Sequence, residues 1–332
     1  MILHPAILAL IIASLLTSFM ICHAGWYGML ILEKWDLSSG SELQLMLERR
    51  TYLISTILSY ALVFQILSLF LYIYTADDLH GLFTGAMCAA GTLNVNSEGY
   101  PTLVLKIINC IMAGVWLIIN YADTRGYDYP LIKVKYALLL VIAPLVFLEL
   151  FLMAGYFSRL HADVITSCCG SLFSQERPGL AGDLSGLPAR PAAIAFYAGM
   201  AATFGSGLYF LARGRGGYLF SALSSLTFVI AVAALISFFC LYIYELPTHH
   251  CPFCIFQKDY GYIGYALYLT LLGGGVAGLG TGALMPFRTR GSMSLVIPQL
   301  QRRLAATAVV LYLAFTLMVT YRVIFSSFRL DG

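Results

Sequence analysis

"YALLLVIAPLVFLELFLMAGYFS", residues 136–158, carries one charged side chain, Glu149, in a stretch otherwise apolar or aromatic up to its final Ser158. A run of about 20 apolar residues is long enough to cross a bilayer as a helix. Seven other runs of this kind recur along the 332-residue chain, so that eight spans are read: 5–27, 51–74, 101–121, 136–158, 191–212, 218–245, 260–281 and 304–325. Composition agrees, with 60% hydrophobic and 11% charged residues, far from the roughly 25% charged of a soluble domain. The expected fold class is an all-α polytopic membrane protein of about eight transmembrane helices, with the lipid bilayer as partner. The third span opens with Pro101 and carries Lys106, which is expected to snorkel to the interface. The net charge of +3 is spread among membrane loops and does not point to nucleic acid.

Lys and Arg in short loops set orientation. The 28–50 loop holds Lys34, Arg49 and Arg50, and the 122–135 loop holds Arg125, Lys133 and Lys135. Arg213 and Arg215 occupy a tight turn, and 282–303 holds Arg288, Arg290, Arg302 and Arg303, whereas 75–100 has no basic residue. Both termini are therefore expected outside, with the four basic loops in the cytoplasm. The first span lacks the basic segment of a cleaved signal peptide and is expected to stay in the mature chain.

This orientation sorts the eight cysteines. Cys88, Cys168, Cys169, Cys251 and Cys254 fall in extracytoplasmic loops. Cys22, Cys110 and Cys240 lie within spans, as small buried hydrophobes. Thiols on an oxidising side point to disulfide chemistry, metal binding or structural staples. The key stretch is "THHCPFCIFQKDYGY", 248–262. Its Pro252 suits the first helical position, so "CPFC" is expected to open the seventh span, where unpaired N–H groups and the macrodipole stabilise a thiolate. Thiolates attack disulfides, which makes Cys251 and Cys254 candidates for redox exchange. Haem c needs a histidine where Ile255 stands, so it is excluded. A metal remains open as the alternative, with His249, His250, Cys251 and Cys254 as ligands of the right kind.

"CPFCIFQK" resembles the C-x-x-C-I-aromatic-Glu/Gln-Arg stretch of DsbB-type disulfide-generating membrane proteins, with Lys258 in place of arginine. The order of elements over about 136–281 is similar to the related vitamin K epoxide reductase (VKOR) family, in which a cysteine loop joins the first two of four helices and a C-x-x-C opens the fourth. "CGSLFS", from Cys169, is similar to that family's segment after its second loop cysteine, although Cys168 and Cys169 are adjacent here and the family's pair is not. The resemblance implies a VKOR-like four-helix core in a bacterial inner membrane and a quinone (ubiquinone or menaquinone) as electron acceptor. It also implies a thioredoxin-fold or other extracytoplasmic thiol protein as partner. Electrons would run from the partner to Cys168/Cys169, to Cys251, and from Cys254 to the quinone. Phe253, Phe256 and Tyr260 would wall the quinone site, and Lys258 would meet the reduced oxygen.

The remaining segments group as a three-helix region, 1–135, a redox core, 136–281, and a basic loop with the last helix, 282–332. Cys88 is a candidate third redox thiol, relaying electrons from a partner to the vicinal pair, or an inert buried one. Glu149 would carry protons for the quinone, or stand protonated beside a tyrosine or serine, because an ionised carboxylate in a membrane is costly. The glycines of "LLGGGVAGLGTG" suit close helix packing. No nucleotide-binding motif or internal repeat is evident, which disfavours a pump or a repeat-built transporter. The rival class is a non-catalytic membrane subunit or metal-handling module of a larger complex.

Overall fold

The computed structural model describes residues 3–161, 164–166 and 184–330. Among these, every regular element is helical: α1 Pro5–Lys34, α2 Glu42–Asp78, the short α3 Ala89–Leu93, α4 Gly99–Asp123 and α5 Ile132–Ser158. After them come α6 Ala189–Arg213, α7 Gly217–Ala234, α8 Cys240–Tyr244, α9 Ile263–Ala283 and α10 Met293–Phe325. A π turn, Leu235–Phe239, joins α7 to α8 as one span. Among the described residues, eight helical stretches are long and apolar enough to cross a membrane, and they overlap the eight runs. The chain is an all-α, integral multi-pass membrane protein.

Two helices start well before their apolar windows. α2 starts at Glu42 rather than at 51, and α10 at Met293 rather than at 304. Glu, Gln, Leu and Arg are good helix formers, so "ELQLMLERR" continues the helix beyond the apolar stretch. The 37 residues of α2 correspond to about 55 Å at 1.5 Å per residue, well beyond a hydrocarbon core of about 30 Å. Segments expected to be loops are therefore partly helical. The α6–α7 turn needs its glycines, because Gly214 (φ 66°) and Gly216 (φ 83°) are both left-handed.

The chain divides into two compact units that interleave along the sequence instead of running as 1–135, 136–281 and 282–332. The first comprises Met1–Tyr72, Asn96–Leu160 and Ala283–Gln301. In it α5 packs on both α1 and α4, around Trp116, Tyr136, Leu58 and Ile142. The fourth span thus keeps company with the first and third.

This unit also corrects the reading of Lys106. It is fully buried and ion-paired with Glu149 at 2.7 Å, and it donates to Ser68 Oγ at 3.1 Å. The other carboxylate oxygen accepts from Gln65 Nε2 at 2.5 Å and Asn109 Nδ2 at 2.6 Å. A charge in an apolar bundle persists when paired and hydrogen-bonded, so the lysine turns inward instead of snorkelling. A second buried pair joins Lys135 to Asp123 at 2.7 Å.

The second unit comprises Ile73–Val95, His161–Gly282 and Arg302–Gly332. Helix association in lipid relies on close packing, and the α9 glycines serve it. A Cβ at Gly274 would meet Tyr312 at 3.1 Å, one at Gly275 would meet Phe228 at 3.0 Å, and one at Gly278 would overlap Ser224.

Candidate functional site

The second unit gathers three thiols from two loops. Cys88 caps α3 in extended conformation, its Sγ accepting from Ala90 N at 3.4 Å. Asp77, in the last turn of α2, accepts from Ala89 N at 3.0 Å and fixes the start of that turn. Thr166 ties a further segment to this loop, through Thr166 N to Thr84 O at 3.0 Å and Thr166 Oγ1 to Gly91 O at 2.9 Å.

The C-P-F-C stretch reaches the same place differently from expectation. Cys254–Phe256 and Lys258–Tyr260 form two 3₁₀ turns, and α9 starts only at Ile263. Gly261 (φ 65°) and Tyr262 (φ 56°) are both left-handed, which no α-helix accommodates. The motif therefore lies in a turn ahead of the helix and does not form its first turn. Gly264 lets the turn lie against α9, since a Cβ there would come within 3.0 Å of the Ile255 carbonyl.

Tyrosines hold the motif's backbone. Tyr244 OH donates to Cys251 O at 2.5 Å, and Tyr268 OH donates to Pro252 O at 3.1 Å. The Cys240 thiol also faces Cys251 O, at 3.6 Å, so it has a polar contact beyond its apolar packing. His250 Nδ1 pairs with the Ile236 carbonyl at 2.9 Å; the π turn displaces carbonyls from the regular α ladder and opens such a position. Gln257 links the two loops, donating to Met87 O at 2.9 Å and to Asp77 Oδ1 at 3.2 Å.

Cys88 and Cys251 Sγ thereby stand 3.6 Å apart, a contact distance rather than the roughly 2.05 Å of a disulfide. The Cys254 sulfur completes a group in which all three lie within 4.8 Å of one another. Cys88 and Cys251 are fully buried and Cys254 nearly so. Such thiols can exchange a disulfide among themselves after a small shift. They could equally bind one soft cation, since thiolates about 2.3 Å from an ion sit about 4 Å apart.

The other expected residues fall variously. Phe253 and Phe256 are buried, and Phe256 is stacked on Tyr268 and edged by Tyr265, centroids 5.1 and 4.8 Å away. Lys258 is exposed and Tyr260 half-buried. The Tyr260 phenol is pushed above its usual pKa by burial first, then by Cys254 and Asp259, and its ring stands edge-on to Tyr244 at 4.8 Å.

The set His249, His250, Cys251 and Cys254 is not assembled. His249 packs edge-on to Tyr244 at 4.3 Å and His250 is committed to Ile236, while Cys88 joins the two motif cysteines instead. Glu149 belongs to the first unit, ion-paired with Lys106 and hydrogen-bonded to Gln65 and Asn109 rather than to a tyrosine or serine. Cys22 is exposed on α1, not buried. Cys168 and Cys169 lie outside the described residues.

Sequence reasoning missed Tyr244, Tyr268 and Gln257 as the clamps of the site. Their one legible signal was a polar group beside an apolar run. Compared with family models, curated proteins and solved structures, the chain finds no match.

Proposed function

We propose that this protein is a membrane thiol–disulfide oxidoreductase whose reactive centre is Cys88, Cys251 and Cys254. The carrying observation is that three sulfurs from two distant loops lie within 4.8 Å of one another in a buried, tyrosine-clamped site. In the forward step a partner dithiol gives two electrons and two protons to a disulfide of this centre, leaving two thiols here and a disulfide on the partner. Exchange runs through a mixed disulfide, one thiolate attacking and one sulfur leaving. Thr166, bonded to the Cys88 loop, stands two positions ahead of Cys168 in sequence, which supports a route through the vicinal pair. The basic-loop pattern supports an extracytoplasmic site.

The resemblance to the VKOR and DsbB-type families supports a quinone as acceptor, which when bound would take up two electrons and two protons. The residues that fit are Tyr260, a phenol kept protonated near Cys254 and so able to donate a hydrogen bond, and the exposed Lys258. Phe253 is buried, and the Phe256 ring is already stacked on Tyr268. Glu149, engaged by Lys106, Gln65 and Asn109, is left out of the proton route.

The test is alkylation mass spectrometry of the reduced protein before and after decylubiquinone. Loss of alkylatable thiols at this centre is expected, and Cys254→Ser should trap a mixed disulfide; no quinone-dependent loss overturns the reading. A second reading, a soft-metal site, is favoured by the presence of a third thiol. Stoichiometric zinc or copper in the purified protein, lost in Cys88→Ser, would replace the redox assignment.

A further inference from the structure

A cavity in the first unit, mostly apolar but with a few polar side chains in its wall, lies outside the thiol chemistry. Its volume is about 330 Å³, and it opens among α2, α4 and α5. Thr51, Ser55, Asn120 and Lys135 give it a polar wall, and Tyr52 and Tyr60, both largely exposed, flank its mouth. It lies where α4 ends and α5 begins, at the depth of a membrane interface rather than its centre.

The hydroxyls in that wall behave unusually. A helical Ser or Thr commonly returns its hydroxyl to the carbonyl one turn back. Thr56 does so to Tyr52 O at 2.9 Å, and Ser59 to Ser55 O at 2.7 Å. Thr51 and Ser55, exposed by only 2% and 4%, do not, and their hydroxyls have no hydrogen-bond partner. The buried Tyr136 phenol of α5 is close enough to both hydroxyls to interact with them, but none of the three makes a well-aligned hydrogen bond among the described residues. Lys135 Nζ gives one N–H to Asp123 and one to Asn120 Oδ1. Its third has no acceptor among the described residues.

Donors thus converge on a cavity whose charge is already balanced. The one charge in its wall, Lys135, is already neutralised by Asp123 behind it, so the complementary ligand is neutral and accepts hydrogen bonds. The volume is near the lower end of small-molecule sites, about 300–1,000 Å³. It is enough for a head group but not for a lipid tail, which would leave past Tyr52 and Tyr60. We propose that this cavity binds the neutral, carbonyl-bearing head of an amphipath whose tail lies in the bilayer. An ester-linked glycerolipid and an isoprenoid quinone share that chemistry.

The test uses the full chain in detergent micelles with a diazirine-tagged monoacylglycerol, mapped by peptide mass spectrometry. Saturable label is expected on peptides carrying Thr51–Val63 or Asn120–Lys135. Excess monoolein or decylubiquinone should suppress it, and the more potent of the two names the source. The near-isosteric T51V/S55A variant should bind the probe about tenfold more weakly with no fall in thermal midpoint, and Ser55→Phe should abolish labelling by filling the cavity. Label scattered over other helices, T51V/S55A labelling like the parent, or failure of both competitors overturns the site. Competition by sodium oleate equal to that of monoolein overturns the neutral head.

Discussion

Replacing Gln257 with leucine removes the side-chain bridge between the Cys88 loop and the C-P-F-C turn while keeping its bulk. Two hydrogen bonds disappear, to Met87 O and Asp77 Oδ1. Both are partly solvated, so each contributes about 1 kcal/mol. Cys88 and Cys251 have no exposed surface, and alkylation requires the two loops to part. Weakening the closed state by about 2 kcal/mol raises the open fraction about thirtyfold, and the alkylation rate follows in the regime where closing outruns reaction. The assay is N-ethylmaleimide modification of the reduced protein in micelles, followed at each cysteine by mass spectrometry. Cys110, buried in the first unit, provides an internal reference whose rate should not change. Gln257→Glu should open the site further, because a carboxylate would then face Asp77. If Cys88 and Cys251 in Gln257→Leu react within twofold of the parent, the bridge does not hold the loops together and the clamp argument fails.

The buried ion pair makes a stability prediction: Lys106→Met strands the Glu149 carboxylate and should cost about 3–5 kcal/mol, whereas K106M/E149M should recover most of it. Equal thermal midpoints for the single and double variants would refute this. Gly278→Ala places a Cβ onto Ser224 and should destabilise by about 1–3 kcal/mol; Ser224→Gly in the same chain should relieve it, as read by the same midpoint. For orientation, Ser97→Cys should react with an impermeant maleimide from the extracytoplasmic side. Gly40→Cys, where a Cβ meets nothing within 4 Å, should react only after permeabilisation; the reverse pattern would invert the topology.

The eight spans were legible because bilayer thickness sets a length for apolar runs that local composition reveals. Their ends were less so: nothing apolar marks Glu42, and helix propensity alone carries α2 beyond its apolar run. Lys106 was misread for a related reason. Snorkelling and pairing begin from the same lysine one turn inside a span, and only the arrival of Glu149 from a helix 43 residues away decides between them. The C-P-F-C motif failed at a local rule. Proline and a following span imitate a helix start, but two left-handed residues at Gly261 and Tyr262 delay α9, their N–H groups closing turns onto Lys258 O and Gln257 O instead of starting a helical ladder.

Cys88 shows where pattern reading stops and chemistry resumes. Sorting by loop put it on the same side as Cys251, but 163 residues separate the two, and no periodicity connects them. What joins them is Gln257 and Asp77, half-buried polar side chains at the ends of apolar runs, with Gln257 bridging to the Asp77 carboxylate and the Met87 carbonyl. Their mutual satisfaction requires the loops to meet, and the meeting brings a third sulfur to a site that the motif alone would supply with two. A two-thiol centre can exchange its one disulfide only with a partner outside the chain. A third thiol in contact gives an exchange partner within the chain, so an incoming disulfide can be received at one sulfur and resolved at another. Removing Cys88 therefore tests more than a single residue. In the redox reading it should slow transfer from the partner while Cys251 and Cys254 still oxidise with a small chemical oxidant, and in the metal reading it should empty the site.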